Sequence, residues 1–432
     1  MKTIRKTNDL SIQEVKYFRE IENSFLNRCR QFGYQEIKTG TIQPIHIYTA
    51  LGTLSTSRLR RMYSFIDWDG WSGERVVLKP DSSPSVVRFY AENLFNKQKK
   101  QKLCYVENHF EWSDTNENIS ERWQCGVENI GDQSTTSDIE ILFMAQDILE
   151  EIGFLDRNIF LSYPSIIRHI VQILIFSKDQ QKIVLNEIKE KRIDQVKEML
   201  SGVDKASLLI RLLEIKGNTS SYLKNVFESF KGPEFDPIIN DMNSLVSICD
   251  YLDRMECKYT IDFSLIGNLD YYTGMQFQIF SNDTRKTNSE ILCAGGRYDQ
   301  LAVEMFKLLN IKNDQKASDV IPAVGFALYA KNIIHNLKTL SKEKPEISPN
   351  IAIYLSNPDP DSMKTAQLLS DILDDMGFNA SLTFDPVSND SFSQYGAVIE
   401  VDEERFSCGY QFLYEKTMNK YILNNILGDI NG

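Results

Sequence analysis

Two short segments rich in glycine and tyrosine constrain the fold of this chain more than any other feature: LDYYTG at residues 269–274 and AGGRYD at residues 294–299. The β-rich run MQFQIF follows the first segment, and the run ILC leads into the second, so both segments lie at the ends of predicted strands. Taken alone, the first can be a simple strand end and the second a turn. Brought together, their tyrosines can close a small aromatic site and still hydrogen-bond a ring nitrogen.

The chain before residue 161 alternates between helix-like and strand-like segments. SIQEVKYFREIENSFLNRCRQFG and TTSDIEILFMAQDILEEIG have helical periodicity with suitable start and stop residues, which predicts two amphipathic helices. MYSFIDWDGWSGERVVLKPD is predicted as a hairpin, YQEIKTGTI as one strand, and KLCYVENHFEW and ERWQCGVENIG as two more strands.

The rest of the chain is predicted to hold a helical insertion and a separate small domain. Short amphipathic helices dominate residues 165–255, and we place the insertion at about 177–243. The later segment AVGFALYAKNIIHNL is predicted as a helix. After the linker SKEKPEISPN, the order strand, helix, strand, strand predicts a small α/β domain at 350–432.

The bulk composition is that of an ordinary soluble chain. No apolar run approaches the roughly 20 residues that span a bilayer, and the first residues lack the apolar core of a signal peptide. The seven cysteines contain no Cys-x-x-Cys pair, so neither a disulfide framework nor a zinc site is indicated. We therefore expect a cytoplasmic protein, away from membranes, with no cofactor and no bound metal.

The charge of the chain is unfavourable for binding nucleic acid. The formal net charge is −12, and residues 351–432 carry 13 Asp and Glu against 4 Lys and Arg. Phosphate binding relies on clustered basic residues, so we expect no nucleic-acid partner. We expect the acidic C-terminal domain to make protein contacts instead.

The segment VLKPDSSPSVVRFY places an acid beside a small hydroxyl, at Asp81 and Ser83. This pair offers a charge-assisted partner and a neutral acceptor, which together suit the α-ammonium group of an amino acid. The alternative is that Lys-Pro-Asp-Ser is a common turn without a ligand.

The predicted strand ERWQCGVENIG carries polar residues at alternate positions. Gln124, Gly126 and Glu128 face the same side of a strand, and the glycine leaves room between the two polar side chains. Glu128 can accept a hydrogen bond from an imidazole N–H, and Gln124 can bind the backbone end of an amino acid. The alternative is a polar strand face with no ligand.

These segments, in this order, resemble the catalytic domain of histidyl-tRNA synthetases from about residue 18 to residue 334, outside the insertion. The resemblance implies an α+β fold: a class II aminoacyl-tRNA synthetase-like antiparallel sheet flanked by helices within residues 1–340, with the helical insertion and the small C-terminal α/β domain. It also implies a histidine-binding site. The implied histidine-binding residues are Asp81, Ser83, Gln124, Glu128, Tyr271, Tyr272 and Tyr298.

The chain departs from the synthetase pattern where that pattern handles ATP. Three arginine positions tied to ATP or to histidine activation hold Glu111, Gly267 and Asn332. Phosphoryl and adenylyl transfer depend on positioned positive charge, and an asparagine does not replace an arginine fork at a phosphate. The opening motif is also changed, with Gly40 in place of a proline and Gln43 in place of a glutamate, which puts the synthetase mode of self-association in doubt.

Retained ligand contacts and lost catalytic charge are typical of the regulatory subunits of ATP phosphoribosyltransferase, a synthetase-like family of histidine biosynthesis. This resemblance implies a non-catalytic protein that supports a short-form catalytic subunit and lets histidine inhibit it. It implies a homodimer within a hetero-oligomer, with L-histidine as effector. Two alternatives remain: a divergent histidyl-tRNA synthetase, which would bind ATP and form an adenylate, and a synthetase-like interaction module without ATP chemistry.

Overall fold

The computed structural model describes residues 9–49, 59–68, 73–112, 120–214, 217–265, 272–281, 290–311, 320–341, 350–355, 359–375, 379–384, 397–402 and 405–407. The internal contacts divide the chain into a large unit, Met1–Lys338, and a small unit, Thr339–Gly432. In the described part of the chain, no helix is long and apolar enough to cross a membrane. The boundaries that the sequence predicts for the domains and for the insertion stay predictions.

The structure contains fifteen strands among its described residues. They are β1 Gln35–Glu36, β2 Ile42–Pro44, β3 Ser64–Trp68, β4 Gly73–Leu78, β5 Gln101–Glu111, β6 Ser120–Ile130, β7 Arg157–Ser162, β8 Tyr259–Ile261, β9 Gln276–Ser281, β10 Ile291–Arg297, β11 Ala323–Tyr329, β12 Asn350–Leu355, β13 Asn379–Thr383, β14 Ala397–Asp402 and β15 Arg405–Ser407.

Thirteen α-helices and one short 3-10 helix, Pro233–Phe235, accompany these strands in the described ranges. The α-helices are α1 Ile12–Gln31, α2 His46–Thr49, α3 Ser83–Asn93, α4 Thr135–Glu151, α5 Pro164–Leu174, α6 Lys178–Lys189, α7 Ile193–Met199, α8 Ala206–Glu214, α9 Ser220–Phe227, α10 Asp236–Arg254, α11 Asp299–Leu308, α12 Ala330–Ser341 and α13 Pro360–Asp375.

An eight-stranded sheet forms the frame of the large unit, in the order β1-β5-β6-β11-β10-β9-β7-β8. Its strands pair antiparallel except at the two ends, where β1 runs parallel to β5 and β7 runs parallel to β8. The longest ladder joins β5 and β6, whose eleven-residue strands pair over their full length. This ladder carries three of the polar residues singled out in the sequence: Glu111, Gln124 and Glu128.

Helices α1 and α4 begin where the sequence signals predict. At the start of α1, the Ser11 hydroxyl accepts from the Glu14 backbone while the Glu14 carboxylate accepts from the Ser11 backbone, which forms a capping box. At the start of α4, the Ser134 hydroxyl accepts from the Ser137 backbone N–H. Helix α4 then packs against β10 and β11, and α1 packs against β5 and β6.

The prediction of a helix through AVGFALYAKNIIHNL was wrong for its first half. Residues Ala323–Tyr329 form the strand β11, and the helix α12 starts only at Ala330. Strand β11 lies in the middle of the sheet, between β6 and β10, and its residues are mostly buried. A strand covered on both faces loses the polar alternation that marks half-buried strands, so its pattern does not separate it from a buried helix.

The segment YQEIKTGTI contains β1 and the first residue of β2, where the sequence predicts one strand. Only Gln35–Glu36 pairs with β5, and Ile42–Pro44 pairs instead with β4. Strands β2, β4 and β3 thus form a separate three-stranded sheet, in which β4 is central. The predicted hairpin is confirmed as the antiparallel pair of β3 and β4, and its turn at residues 69–72 lies outside the described residues.

The small unit has its own sheet and core. Strand β12 pairs in parallel with both β13 and β14, and β15 closes the order β13-β12-β14-β15. Helix α13 packs on this sheet, and side chains such as Ile353, Leu369 and Ile399 form its buried core. This order of strand, helix, strand and strand agrees with the pattern read from the sequence.

Candidate functional site

The candidate site lies on one face of the large sheet, where β5, β6, β11 and β10 meet. Glu128 on β6 is directly opposite Leu103 on β5 and Gly325 on β11, and Gln124 is opposite Glu107 and Tyr329. Residues directly opposite each other in a sheet point to the same face. The alternation predicted for Gln124 and Glu128 therefore places both on this face.

Glu128 is the centre of the site, with 2% of its surface exposed. The Ser83 hydroxyl donates to its Oε1 at 2.6 Å, the Tyr298 hydroxyl donates to its Oε2, and the Tyr105 hydroxyl lies 3.4 Å from Oε1. Ser83 is the first residue of α3 and Tyr298 immediately precedes α11. Two predicted site residues from distant parts of the sequence thus converge on a third.

Burial changes the protonation of Glu128. Removal from water raises the pKa of its carboxyl from 4.5 to about 8, while the hydrogen bonds from Ser83 and Tyr298 oppose that rise. At neutral pH most molecules therefore keep a proton on Glu128. A ligand that donates to both carboxylate oxygens would favour release of that proton.

The raised pKa of Glu128 predicts how stability depends on pH. Between about pH 4.5 and pH 8 the folded protein holds a proton that the unfolded chain has lost, so this group makes stability fall as pH rises, by up to about 1.4 kcal/mol per pH unit. Glu128→Gln should remove this slope. Urea unfolding at pH 5, 6.5 and 8 measures it in both proteins, and equal slopes would contradict the assignment.

Asp81 lies in the loop between β4 and α3 that also carries Ser83. Its Oδ1 accepts from the Ser83 backbone N–H at 3.1 Å, and its carbonyl accepts from the buried Tyr48 hydroxyl at 3.0 Å. The same tyrosine hydroxyl lies 2.9 Å from the Ser85 hydroxyl. These bonds hold the half-buried Asp81 carboxylate close enough to Glu128 for its charge to raise the pKa of Glu128 further.

A buried ion pair lies beside this loop and was missed in the sequence. Lys79 Nζ is 2.7 Å from Glu107 Oε2, and the two side chains are 2% and 4% exposed. Glu107 also accepts from the Thr39 backbone N–H at 2.5 Å and from the Ser82 hydroxyl, whose oxygen lies 2.7 Å from His109 Nε2. The acidic and histidine side chains at alternate positions of KLCYVENHFEW are the signal that such a network exists on this strand face.

Tyr272 closes the site over β10. Its side chain is buried, which raises the pKa of its phenol, and its carbonyl accepts from Arg168 Nη2 at 2.5 Å. A Cβ on Gly296 would lie 2.9 Å from the ring carbons of Tyr272, so the glycine of AGGRYD makes room for this ring. Of the predicted site residues, Tyr271 lies outside the described residues.

The two glycine- and tyrosine-rich segments are joined to each other by their backbones. The Thr273 N–H donates to the Arg297 carbonyl at 2.7 Å, and the Asp299 N–H donates to the Thr273 hydroxyl at 3.0 Å. The Arg297 guanidinium itself turns away from the site and bonds Asp138 on α4 through Nε at 2.9 Å and Nη2 at 2.7 Å. The arginine of this motif therefore fixes the fold, while the neighbouring Tyr298 serves the site.

Of the three positions that depart from the synthetase pattern, the structure describes Glu111 and Asn332. Both side chains bond to other residues of the chain. Glu111 is mostly buried, with its Oε1 at 2.7 Å from Arg61 Nη2 and its Oε2 at 3.8 Å from Arg122 Nη1. The Asn332 amide donates to the Ile291 carbonyl at 2.8 Å. Gly267 lies outside the described residues.

The described side chains of this site can bind a small polar molecule with a cationic end and an aromatic ring. Two carboxyl groups, Asp81 and Glu128, provide acceptors, and Tyr272 and Tyr298 provide aromatic walls with hydroxyl groups. Gln124, on the same face, adds an amide and is half-buried. Among the described residues, no group of three or more His, Cys, Asp or Glu side chains is arranged to hold a metal ion.

Comparison with known proteins gives consistent matches over most of the chain. The profile of the family described as Histidyl-tRNA synthetase matches residues 6–333. An ATP phosphoribosyltransferase regulatory subunit from Dehalococcoides mccartyi is 30% identical over 400 residues, which cover 91% of this chain and 90% of that protein. A histidine--tRNA ligase from Methanocaldococcus jannaschii is 30% identical over 348 residues, 79% of this chain and 77% of the ligase.

A crystal structure confirms the predicted fold class. The structure titled as an ATP phosphoribosyltransferase regulatory subunit/histidyl-tRNA synthetase from Bacillus halodurans superimposes with a TM-score of 0.72, at 18% sequence identity. The match covers 93% of this chain and 98% of that one. The predicted α+β, synthetase-like architecture is therefore correct.

Proposed function

Because this chain belongs to the family of ATP phosphoribosyltransferase regulatory subunits, which have the histidyl-tRNA synthetase fold, we propose that it binds L-histidine and controls a short-form catalytic subunit. The catalytic subunit would need this chain for activity, and histidine bound here would inhibit it at the first step of histidine biosynthesis. One observation carries the proposal: Ser83 and Tyr298 both donate hydrogen bonds to the buried Glu128. The resemblance adds that Glu111 stands where the synthetases have a phosphate-binding arginine.

Each part of the proposed ligand has a partner in this site. Asp81 would hold the α-ammonium group, and Glu128 would accept from an imidazole N–H between the rings of Tyr272 and Tyr298. Gln124 and Tyr271 complete the set of proposed histidine-binding residues. The support for these roles is the shared sheet face and the connected hydrogen bonds around Glu128.

We propose that this protein performs no chemistry of its own. Glu111 is buried where the synthetases have a phosphate-binding arginine, and its carboxylate engages the charge of Arg61 at 2.7 Å. Asn332 and Gly267 likewise bring no positive charge. The condensation of ATP with phosphoribosyl pyrophosphate would take place on the catalytic partner.

Calorimetry and a reconstituted assay test this function together. We expect L-histidine to bind the purified protein, and ATP with magnesium to give no heat. Adding this chain should activate a short-form catalytic subunit, and histidine should then inhibit it about 5- to 150-fold, the range for a coupling of about 1–3 kcal/mol. Activity of the catalytic subunit that does not change with this chain would contradict the proposal.

The similarity to the archaeal histidine--tRNA ligase favours a second candidate, a divergent synthetase. This candidate requires ATP binding and histidine-dependent exchange of pyrophosphate into ATP, which the first proposal excludes. It also requires tRNA binding, whereas we propose that the acidic residues after 351 contact protein. A gel shift with tRNA at ~0.1 M salt, where exposed charges still act, separates the two. If neither L-histidine nor ATP binds, the remaining candidate is a synthetase-like interaction module without ATP chemistry.

A further inference from the structure

Strand β11 changes from small to large residues along the face that carries the candidate site. Gly325, Ala327 and Tyr329 alternate with the buried Phe326 and Leu328, so these three residues share one face of the strand. Gly325 is directly opposite Glu128, which identifies this face as the one that carries the site. Counted from the start of β11, Tyr329 is therefore the first bulky side chain on the site face.

Tyr329 lies at the end of the site that is remote from Glu128. It is directly opposite Gln124, which precedes Glu128 by four residues, or roughly 13 Å along an extended strand. Gly126 and its partner Ala327 lie between the two ends. Residues directly opposite each other on neighbouring strands have Cβ atoms about 5 Å apart, so the side chains of Tyr329 and Gln124 share this end of the site.

The end at Tyr329 is also where the site opens to solvent. Gln124 and Tyr329 are half-buried, whereas Glu128 is buried. The phenol of Tyr329 lies near that of Tyr272, because burial raises the pKa of Tyr272 and the neighbouring Tyr329 raises it further. A ligand that enters from solvent with its ring towards Glu128 therefore leaves its other end beside Tyr329.

The carboxylate of a bound amino acid needs hydrogen-bond donors at this outer end. Asp81 and Glu128 are acidic, and a third carboxyl group is not attracted to them. Three basic residues near the site each contact an acidic residue of the chain: Lys79 with Glu107, Arg122 with Glu111, and Arg297 with Asp138. The amide of Gln124 and the phenol of Tyr329 are neutral donors on the correct face of the sheet.

We propose that Tyr329 is a specificity-determining residue of this site, whose hydroxyl donates a hydrogen bond to the α-carboxylate of the bound amino acid. The inference rests on the proposed function, which puts the imidazole of histidine at Glu128 and its backbone end at Gln124. A hydrogen bond to an ionised acceptor is roughly twice as strong as one between neutral groups. Tyr329 thus selects a free amino acid over the corresponding amine without a carboxylate.

L-histidine and histamine together separate the role of the hydroxyl from that of the ring. Histamine keeps the imidazole and the ammonium group of histidine and lacks only the carboxylate. In calorimetry, Tyr329→Phe should weaken the binding of L-histidine about 10-fold or more, because a hydrogen bond to a charged group is lost. The affinity for histamine, measured by displacement of bound L-histidine so that weak binding is still detected, should stay unchanged. That unchanged affinity also shows that the variant keeps a folded site.

The matched control is Tyr251→Phe, which removes the hydroxyl of another half-buried tyrosine, on α10 and outside the large sheet. This control should bind both ligands as the wild-type protein does. If the wild type binds L-histidine but Tyr329→Phe loses both ligands equally, or loses neither, the role of Tyr329 is overturned and the proposed function stands. If the wild type does not bind L-histidine, the proposed function fails and the role of Tyr329 fails with it.

Discussion

Replacing Glu128 by glutamine is expected to weaken the binding of L-histidine about 10- to 150-fold. A hydrogen bond to a charged group contributes about 1.5–3 kcal/mol, and glutamine keeps the shape of the side chain but not its charge. The Ser83 and Tyr298 hydroxyls would keep an acceptor on the amide oxygen only, because the amide nitrogen donates. Calorimetry gives the affinity, and the catalytic-subunit assay should show a matching loss of inhibition by histidine.

The protonation of Glu128 adds a measurement that a purely structural role would not change. Because its pKa is about 8, Glu128 should release a proton when histidine binds at pH 7.5. Calorimetry in two buffers with different ionisation enthalpies measures this release, which should vanish in Glu128→Gln. The matched control is Glu121→Gln, which changes a carboxylate on the same strand that bonds Asn108 at 2.8 Å. Unchanged histidine binding by Glu128→Gln would remove the assignment.

Replacing Lys79 by methionine is expected to lower the free energy of unfolding by about 3–5 kcal/mol. Methionine fills most of the space but leaves the buried Glu107 carboxylate without its ion pair, and breaking one side of a buried pair has a cost of this size. Burial lowers the pKa of Lys79 while Glu107 raises it, so the charge of the lysine depends on this partner. The midpoint of urea unfolding measures the loss.

An exposed ion pair of equal length provides the control. Lys338 Nζ also lies 2.7 Å from a glutamate, Glu14 Oε1, but those side chains are 39% and 24% exposed. Lys338→Met should cost about 1 kcal/mol or less. The double variant Lys79→Met with Glu107→Gln should recover stability, because a neutral amide can still bond Thr39. If Lys79→Met is no more harmful than Lys338→Met, the buried pair does not stabilise the fold.

The sequence was informative where a residue's role follows from its own strand. Strand alternation alone placed Gln124 and Glu128 on one face, and the register of β6 agrees. The order of the two glycine- and tyrosine-rich segments pointed to a shared site for Tyr272 and Tyr298, both of which are buried beside it. Periodicity and family resemblance are sufficient for such features.

The contacts that the sequence does not predict join segments that are distant from each other along the chain. The Lys79–Glu107 pair joins the end of β4 to β5, and Arg61 reaches Glu111 across some fifty residues of sequence, so neither contact follows from local spacing. The structural role of Arg297, the arginine of AGGRYD, follows from its hydrogen bond to Asp138, which lies far away in the sequence. The sequence pattern of β11 does not indicate a strand, because burial on both faces removes its alternation.

Three neighbouring strands have glycine where side chains of the site pack against them. A Cβ would overlap the ring of Tyr105 at Gly126 and the carboxylate of Glu128 at Gly325, and it would crowd the ring of Tyr272 at Gly296. A relative that keeps every polar residue of the site but has alanine at one of these glycines is expected to lose the packing of these three side chains. Sequence comparisons that look for this site should therefore score the three glycines together with its polar residues.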